Sequence, residues 1–157
     1  MHETKIDLEK VKDIIEKHHK NPEELIDVLI KLNEEYGYLP KPVLKKVSEY
    51  FDLPLSRIYG TSSFYTLLSN EPLGENVIRF CDDAPCHVVG AAEVLNSIEN
   101  ELGIKIGKTT EDKKFTLLKT SCIGICDIGP VMVINDYVYG NLKPEDISKI
   151  LKNYKWF

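Results

Sequence analysis

The sequence predicts an α+β protein in which an N-terminal helical bundle, residues 1–72, precedes a mixed domain of strands and helices, residues 73–157. Three observations support this fold class. Apolar residues recur at helical spacing up to about residue 70, and short apolar runs typical of strands follow residue 73. Between these two parts, residues 70–74 read Asn-Glu-Pro-Leu-Gly, a composition typical of a linker.

Periodicity and start signals predict the first two helices. Apolar residues at helical spacing from Leu8 to Ile15 indicate one helix. Asn21, followed by Pro22 and two glutamates, indicates the start of another, because Asn caps helices, Pro fits the first turn and acids favour the positive helix end. Apolar residues surround this second helix, Leu25 to Tyr36, almost completely. We therefore expect it to be buried on nearly all sides.

Glycines and prolines mark the remaining boundaries of the bundle. Gly37 is expected to end the second helix, since glycine readily adopts the left-handed conformation of a helix end. Pro42 and Pro54 are expected to open a third helix and a short fourth helix. Gly60 is expected to end the fourth.

The C-terminal part shows the signals of a small mixed sheet. Residues 77–80 and 115–119 are short apolar strands, and each runs into a cysteine-containing loop. Residues 131–134 and 137–139 form a hairpin around Asn135-Asp136, a pair that tolerates positive φ. One helix is expected to begin just after Cys86, and Pro144 is expected to open the last one. The order β-α-β-β-β-α is that of a thioredoxin-like layer.

Cysteine is confined to two pairs: Cys81 with Cys86, spaced C-x4-C, and Cys122 with Cys126, spaced C-x3-C. Each pair follows a predicted strand. Two adjacent parallel strands would bring both loops to the same end of the sheet. The charged N-terminus lacks the apolar core of a signal sequence, so we expect a cytoplasmic protein. In that reducing compartment, four such cysteines favour metal or redox chemistry over disulfides.

The residues alone leave the metal open. Structural zinc sites use cysteine pairs of similar spacing. A 2Fe–2S cluster takes two thiolates for each iron, so each loop would serve one iron. Gly124 and Gly129 beside the second pair, and Gly90 beyond the first, would let backbone amides approach cluster sulfurs. A dithiol or structural role is a third alternative, which the lack of C-x-x-C spacing weakens.

Other polar residues near the cysteines are expected to be solvated. His87 follows Cys86 directly, but a Rieske centre needs two histidines, so we expect His87 on a helix surface. The remaining histidines are also expected at the surface: His2, His18 and His19. The acids of the cysteine loops are expected to be solvated and to disfavour a reduced cluster by their charge: Asp82, Asp83 and Asp127.

Composition excludes several functions. The net charge is −5, and only 2 of the 20 basic residues are arginines, so no basic stripe for nucleic acid is expected. No apolar run approaches the ~20 residues of a transmembrane helix. There is neither a G-x-G-x-x-G nor a Walker loop. Any nucleotide that supplies electrons is therefore expected on another chain.

Several motifs occur in the order found in one family. Residues 35–40 read Glu-Tyr-Gly-Tyr-Leu-Pro, residues 55–65 end in Ser-Ser-Phe-Tyr, and Cys122-Ile-Gly-Ile-Cys126 is followed by Pro130. Together they resemble the thioredoxin-like 2Fe–2S subunit of NADH dehydrogenase, the E subunit of bacterial complex I. They are also similar to the small subunits of NAD(P)-linked multimeric hydrogenases and formate dehydrogenases. The run from Cys86 to Ala91 looks more like the hydrogenase branch.

The resemblance implies a function and a set of ligands. The family's one 2Fe–2S cluster would be held by Cys81, Cys86, Cys122 and Cys126. The chain would transfer electrons without turning over a substrate by itself. Its partner would be a flavoprotein subunit that carries FMN and binds NAD(P)H, accompanied by further iron–sulfur or hydrogenase subunits. The competing hypothesis is a zinc-stabilised thioredoxin-like interaction module without a redox role.

Four aromatic residues have two alternative roles. They are either anchors for a partner or contacts between the bundle and the ferredoxin domain: Tyr36, Tyr38, Phe64 and Tyr65.

Overall fold

The structure, a computed structural model, describes residues 6–155. The chain divides into two compact units at the boundary between Pro72 and Leu73. Within residues 6–155 no helix is both long enough and apolar enough to cross a membrane.

Four helices form the N-terminal unit: α1 (Leu8–Ile15), α2 (Leu25–Tyr36), α3 (Lys41–Phe51) and α4 (Leu55–Phe64). A local hydrogen bond caps the start of α1, where the side chain of Asp7 accepts from the backbone N–H of Glu9 at 2.9 Å. The side chain of Asn21 accepts from the N–H of Glu23 at 3.1 Å and caps a short 3₁₀ helix, Pro22–Glu24, that leads into α2. The helices enclose one apolar core, so the predicted helical bundle is confirmed. The largest fully buried side chains in it are Ile15, Leu29, Leu32, Leu39, Leu44 and Ile58.

Two expectations for these helices are wrong. Gly37 ends α2 with φ of 76°, as expected, but Gly60 does not end α4, which continues to Phe64. Gly60 keeps a helical backbone, because glycine in a helix costs only about 1 kcal/mol and does not by itself stop it. The second helix is not buried on all sides either. Its Ile30 is 41% exposed.

His18 is not a surface residue, contrary to expectation. Its side chain is 11% exposed, and its Nδ1 lies 3.1 Å from a carboxylate oxygen of Glu24. The Tyr50 hydroxyl donates to the His18 carbonyl at 2.7 Å. The segment between α1 and α2 is therefore held against α3. His19 is exposed, and His2 lies outside the described residues.

The C-terminal unit contains a five-stranded sheet of order β2-β3-β1-β4-β5. Its strands are β1 (Asn76–Cys81), β2 (Lys108–Thr109), β3 (Phe115–Thr120), β4 (Met132–Ile134) and β5 (Tyr137–Tyr139). β1 and β3 are parallel, and the other neighbours are antiparallel. The hairpin around Asn135, whose φ is 54°, is confirmed. Strand β2 was not predicted, because two residues give no recognisable alternation.

One face of this sheet forms the core of the unit. Ile78 and Phe80 alternate along β1 and are fully buried, and Phe115 and Leu117 do the same on β3. Two long helices contribute the remaining apolar side chains: α6 (Ala91–Leu102) and α7 (Pro144–Lys155). The strand alternation therefore places β1 and β3 rigidly, with their carboxyl ends at one edge of the core.

The helix near Cys86 begins earlier than expected. A short helix, α5 (Ala84–Val88), contains Cys86, and Gly90, with φ of 97°, separates it from α6. Val88 does not belong to the buried stripe of the longer helix, since it is 85% exposed.

Candidate metal centre

The carboxyl ends of β1 and β3 carry the two cysteine pairs. Cys81 is the last residue of β1 and lies opposite Thr120, the last residue of β3. Cys122 follows two residues after Thr120. The prediction that adjacent parallel strands bring both loops to one end of the sheet is therefore confirmed.

The first pair is part of the apolar core. Cys81 and Cys86 are each 2% exposed, and the N–H of Cys81 donates to the carbonyl of Val131 at 3.1 Å. Burial raises the pKa of the Cys86 thiol to about 11, and the hydrogen-bonded thiol of Cys81 contributes to that increase. In the absence of a metal the Cys86 thiol therefore keeps its proton at neutral pH.

The second pair is exposed. Cys122 Sγ and Cys126 Sγ are 3.2 Å apart, and the hydrogen bond between them is the main reason why the pKa of Cys126 is raised. Between them, Gly124 adopts φ of 87°, a left-handed conformation that lets the loop fold back on itself. The two pairs also interact, since Cys81 raises the pKa of Cys126 and Cys126 raises that of Cys86.

Gly129 brings the two loops into contact. A Cβ at this position would lie 3.2 Å from Cγ2 of Val89 and 3.4 Å from Sγ of Cys86, so a larger residue would force the second loop away from the first. The N–H of Gly129 donates to the carbonyl of Cys126 at 3.2 Å. This amide is thus engaged within the second cysteine loop.

Two of the three loop acids are not simply solvated. The carboxylate of Asp82 accepts from Nζ of Lys119 at 2.7 Å and lies 3.8 Å from Nδ1 of His87. It raises the pKa of Lys119 by this hydrogen bond. The carboxylate of Asp83 accepts from the backbone N–H of Cys122, in the other cysteine loop. Only Asp127 is exposed as expected. His87 lies on the surface of α5, also as expected, with its side chain 65% exposed.

The donor set fits a two-iron group. Each loop supplies two thiols, and a 2Fe–2S cluster needs two for each iron. Within residues 6–155, no three or more His, Cys, Asp or Glu side chains are gathered around a single point where one metal ion could sit, and the four thiols lie as two pairs.

A mixed sheet with paired thiols at the carboxyl ends of its adjacent parallel strands defines a protein of the thioredoxin-like class. The chain belongs to the thioredoxin-like 2Fe–2S ferredoxin family, whose sequence profile it matches over residues 11–155. The family resemblance and the fold class predicted from the sequence are thus confirmed.

Curated relatives share most of the chain. The E subunit of NADH-quinone oxidoreductase from Salmonella typhimurium is 37% identical over 142 residues, which cover 89% of this chain and 86% of the relative. The corresponding protein of Escherichia coli strain K12 is 35% identical over 139 residues, covering 88% and 84%. That of Pseudomonas aeruginosa is 33% identical over 138 residues, covering 87% and 83%.

Solved structures of a NAD+-reducing NiFe hydrogenase contain the same fold. The air-oxidized state matches with a TM-score of 0.70 at 26% identity, over 84% of this chain and 23% of the hydrogenase chain. The H2-reduced state matches with a TM-score of 0.71 at 25% identity, over 87% and 23%. This chain thus spans less than a quarter of the length of that hydrogenase chain.

Sequence reasoning missed the role of Asp83. Its position before Ala84-Pro85 is typical of a helix cap, and it is indeed the capping residue of α5, but its side chain makes no capping hydrogen bond. The signal in the sequence therefore predicts the start of the helix. It does not reveal that the carboxylate binds the other loop, because that contact joins residues 39 positions apart.

Proposed function

We propose that this chain is an electron-transfer subunit that binds one 2Fe–2S cluster within a multisubunit NAD(P)H-linked oxidoreductase. The four ligands are Cys81, Cys86, Cys122 and Cys126. The parent complex is of the NADH dehydrogenase or the hydrogenase type, and a partner subunit carries FMN and receives electrons from NAD(P)H. Location in the cytoplasm, where thiols stay reduced, is part of the proposal.

One observation carries this proposal: the parallel pairing of β1 and β3 brings two thiol pairs to one end of a rigid sheet. The family supports the cluster, since the matching profile is that of a 2Fe–2S ferredoxin. The relatives support the assembly, since they are subunits of NADH-quinone oxidoreductase, and the hydrogenase chain carries this fold as one part of a longer polypeptide.

The chain would perform three tasks. Its thiols would lose their protons and bind iron, which would release protons to solution. When bound, the cluster supplies one-electron redox chemistry. The core around Cys81 and Cys86 excludes water from one side of the site, whereas the exposed Cys122 and Cys126 leave a short path for electrons on the other.

Exposed apolar side chains occur in both cysteine loops. Val88 is 85% exposed, Val89 is 52% exposed, and Ile123, between the two exposed cysteines, is 39% exposed. A stable interface needs an apolar centre of this kind, so we place the electron-exchanging contact with the flavoprotein here.

The helical bundle exposes a second apolar patch. Ile30, Phe64, Tyr65 and Leu67 are 41%, 77%, 40% and 69% exposed, and three of them line a cavity of about 350 Å³ together with Ile26. This patch supports the proposal that the bundle braces a permanent partner. Tyr36 does not belong to this patch. It is buried, and its hydroxyl donates to the carbonyl of Asp7 at 3.0 Å.

Colour and metal content test the cluster. The chain, purified without oxygen, is expected to be brown, to contain about two iron and two sulfide per polypeptide, and to bleach with dithionite. Its potential is expected on the order of −400 mV, because an all-cysteine cluster is already negative and reduction adds charge. A colourless protein with one zinc per chain would replace this proposal by the zinc-stabilised module.

Two substitutions on the full chain test the partner. The FMN subunit that co-purifies with the chain from the native cell should reduce its cluster when NADH or NADPH is added. Val88→Glu, near the thiols, should slow that reduction, and Leu67→Glu, in the bundle, should weaken binding of the subunit. Lys108→Glu, on an exposed position of β2, is the control. Equal reduction and binding by all three variants would remove both patches from the interface.

A further inference from the structure

Two neighbouring aspartates connect the cysteine loops to each other without any metal. Asp82 and Asp83 follow Cys81 in the first loop. Asp82 accepts from Lys119 at 2.7 Å, and Asp83 accepts from the N–H of Cys122. Both donors belong to the end of β3 and the start of the second loop. We call these four groups together the aspartate clasp.

The position of Asp83 indicates that its contact is a specific one. It precedes α5, where an aspartate ordinarily accepts from the first N–H groups of the helix and stabilises its start. Here no such bond is made, and the carboxylate binds the ligand loop on the other strand. The helix thus loses a cap, and the second cysteine loop gains a charge-assisted hydrogen bond.

The backbone group that Asp83 binds belongs to a cysteine of the exposed pair. Residues 121–124 are all exposed, so the backbone at Cys122 itself does not lie in the core, and the next apolar residue, Ile125, packs against the core. Gly124, with φ of 87°, gives this loop further freedom. A hydrogen bond to the N–H of Cys122 fixes the backbone that carries this thiol. The clasp therefore orders the half of the site that the core does not order.

We infer that Asp83, assisted by Asp82 and Lys119, is a positioning residue that holds the Cys122 loop beside the buried pair before iron and sulfide arrive. The inference rests on the proposed function, since it assumes that the four thiols receive a 2Fe–2S cluster. Preorganisation of this kind lowers the entropy that ligand binding has to overcome. The clasp thereby speeds cluster assembly and protects the loaded site against loss of iron.

The matched control is Asp127. It lies in the second cysteine loop, next to Cys126, and carries the same charge. In the part of the chain that the structure describes, no hydrogen bond or ion pair of its side chain is seen. Three full-length variants are compared with the parent chain: Asp83→Ala, which removes the acceptor, Asp83→Asn, which keeps an uncharged acceptor, and Asp127→Ala.

The first measurement needs no cluster. Amide hydrogen exchange of Cys122 is followed by NMR in the reduced, metal-free chain. Asp83→Ala should speed this exchange about tenfold or more, the effect of losing one charge-assisted hydrogen bond, and Asp127→Ala should leave it unchanged. If the Cys122 amide exchanges at the same rate in the parent chain and in Asp83→Ala, the hydrogen bond of the clasp does not exist in solution and the inference is wrong.

The second measurement follows cluster assembly from ferrous iron and sulfide by visible absorption. Asp83→Ala should assemble about tenfold more slowly than the parent chain. Asp83→Asn should recover most of the rate, because its amide oxygen still accepts from the Cys122 N–H, and this recovery separates positioning from charge. Assembly in Asp83→Asn as slow as in Asp83→Ala, or an equal defect in Asp127→Ala, overturns the inference.

The experiments distinguish failure of the proposed function from failure of the inference about Asp83. If the parent chain takes up no iron and sulfide, the proposed function fails, and amide exchange still decides whether the clasp exists. If Asp83→Ala does not fold, Asp83→Asn decides. A Cys122 exchange rate in Asp83→Asn within about threefold of the parent rate supports the hydrogen bond, and a rate about tenfold faster contradicts it.

Discussion

The two thiol pairs differ more in their surroundings than in their spacing. Cys81 and Cys86 are part of the apolar core, each 2% exposed, whereas Cys122 and Cys126 are exposed in a loop that contacts the core through Ile125 and Ile128. The core therefore fixes one half of the site, and hydrogen bonds such as that from Cys122 to Asp83 fix the other. An electron carrier needs this asymmetry, because one side must exclude water while the other must face a partner.

Removal of single thiols should have the largest effect. Cys86→Ala and Cys122→Ala are both expected to lose the cluster, since the chain has only four cysteines and none is spare. In the metal-free chain, substitutions in the two pairs should differ in their effect on folding stability. Cys86→Ser places a more polar hydroxyl in the apolar core and should cost about 1–3 kcal/mol, whereas Cys122→Ser, at an exposed position, should change stability by less than ~0.5 kcal/mol.

Iron and sulfide assays and urea unfolding of the metal-free variants test this prediction. Ser56→Ala on α4 is the control, because it removes an exposed hydroxyl in the helical bundle. Full iron content in any single cysteine variant would remove that residue from the ligand set.

The next largest difference between the buried and the exposed pair should be in the reactivity of their thiols. With the pKa of Cys86 raised to about 11, only about one thiol in a thousand is ionised at pH 8. Burial slows attack further. In the metal-free chain, iodoacetamide should therefore label Cys122 well before Cys86, and peptide mass mapping at short times should show the order. Equal labelling would mean that the buried pair opens easily.

The raised pKa of Cys86 also makes the stability of the metal-free chain depend on pH. The folded, metal-free chain binds its Cys86 proton more tightly than the unfolded chain, whose thiols have pKa values of about 8.5. This contribution is complete below about pH 8.5, and it is lost as pH rises from there towards about 11. Unfolding curves of the metal-free chain at pH 7 and 10 should show a loss of stability that Cys86→Ala reduces, the remainder coming from other groups with a raised pKa such as Cys126.

Alanine substitutions at two glycines test the contact between the two cysteine loops. Ala at Gly129 meets Val89, Cys86 and the Cys126 carbonyl at 3.2–3.4 Å, so it should push the loops apart, cost about 1–3 kcal/mol and alter the visible circular dichroism of the cluster. Ala at Gly124 meets nothing within 4 Å and should only strain the backbone, by about 1 kcal/mol, with an unchanged spectrum. Identical spectra in both variants would contradict a tight contact at Gly129.

The smallest effect should come from the charges around the site. Lys119→Gln leaves Asp82 without its counter-charge and should lower the reduction potential, on the order of tens of millivolts. Asp82→Asn should raise it by a similar amount. Spectroelectrochemical titration of both variants measures these shifts, and Lys46→Gln in the bundle is the control. A shift of the same sign in both variants would rule out an electrostatic origin.

Much of this arrangement follows from the sequence. The apolar runs before each cysteine pair predict β1 and β3, and the position of each pair after a strand indicates that adjacent parallel strands would bring both loops to one end of the sheet. What the sequence does not reveal depends on distant contacts. Gly60 stays helical because its neighbours pack, His18 is buried because Tyr50 and Glu24 bind it, and the acceptor at Asp83 finds its donor 39 residues away.

The shortness of the outer strands has a consequence for the free chain. β2 contributes two residues and β5 three, so the sheet ends in edges with very few unpaired backbone groups. Long bare edges recruit strands from other molecules and lead to fibrils. This sheet offers no such template, although the chain exposes sizeable apolar side chains. Subunits that accumulate without a partner should therefore form amorphous, readily dissolved clusters that do not bind thioflavin T.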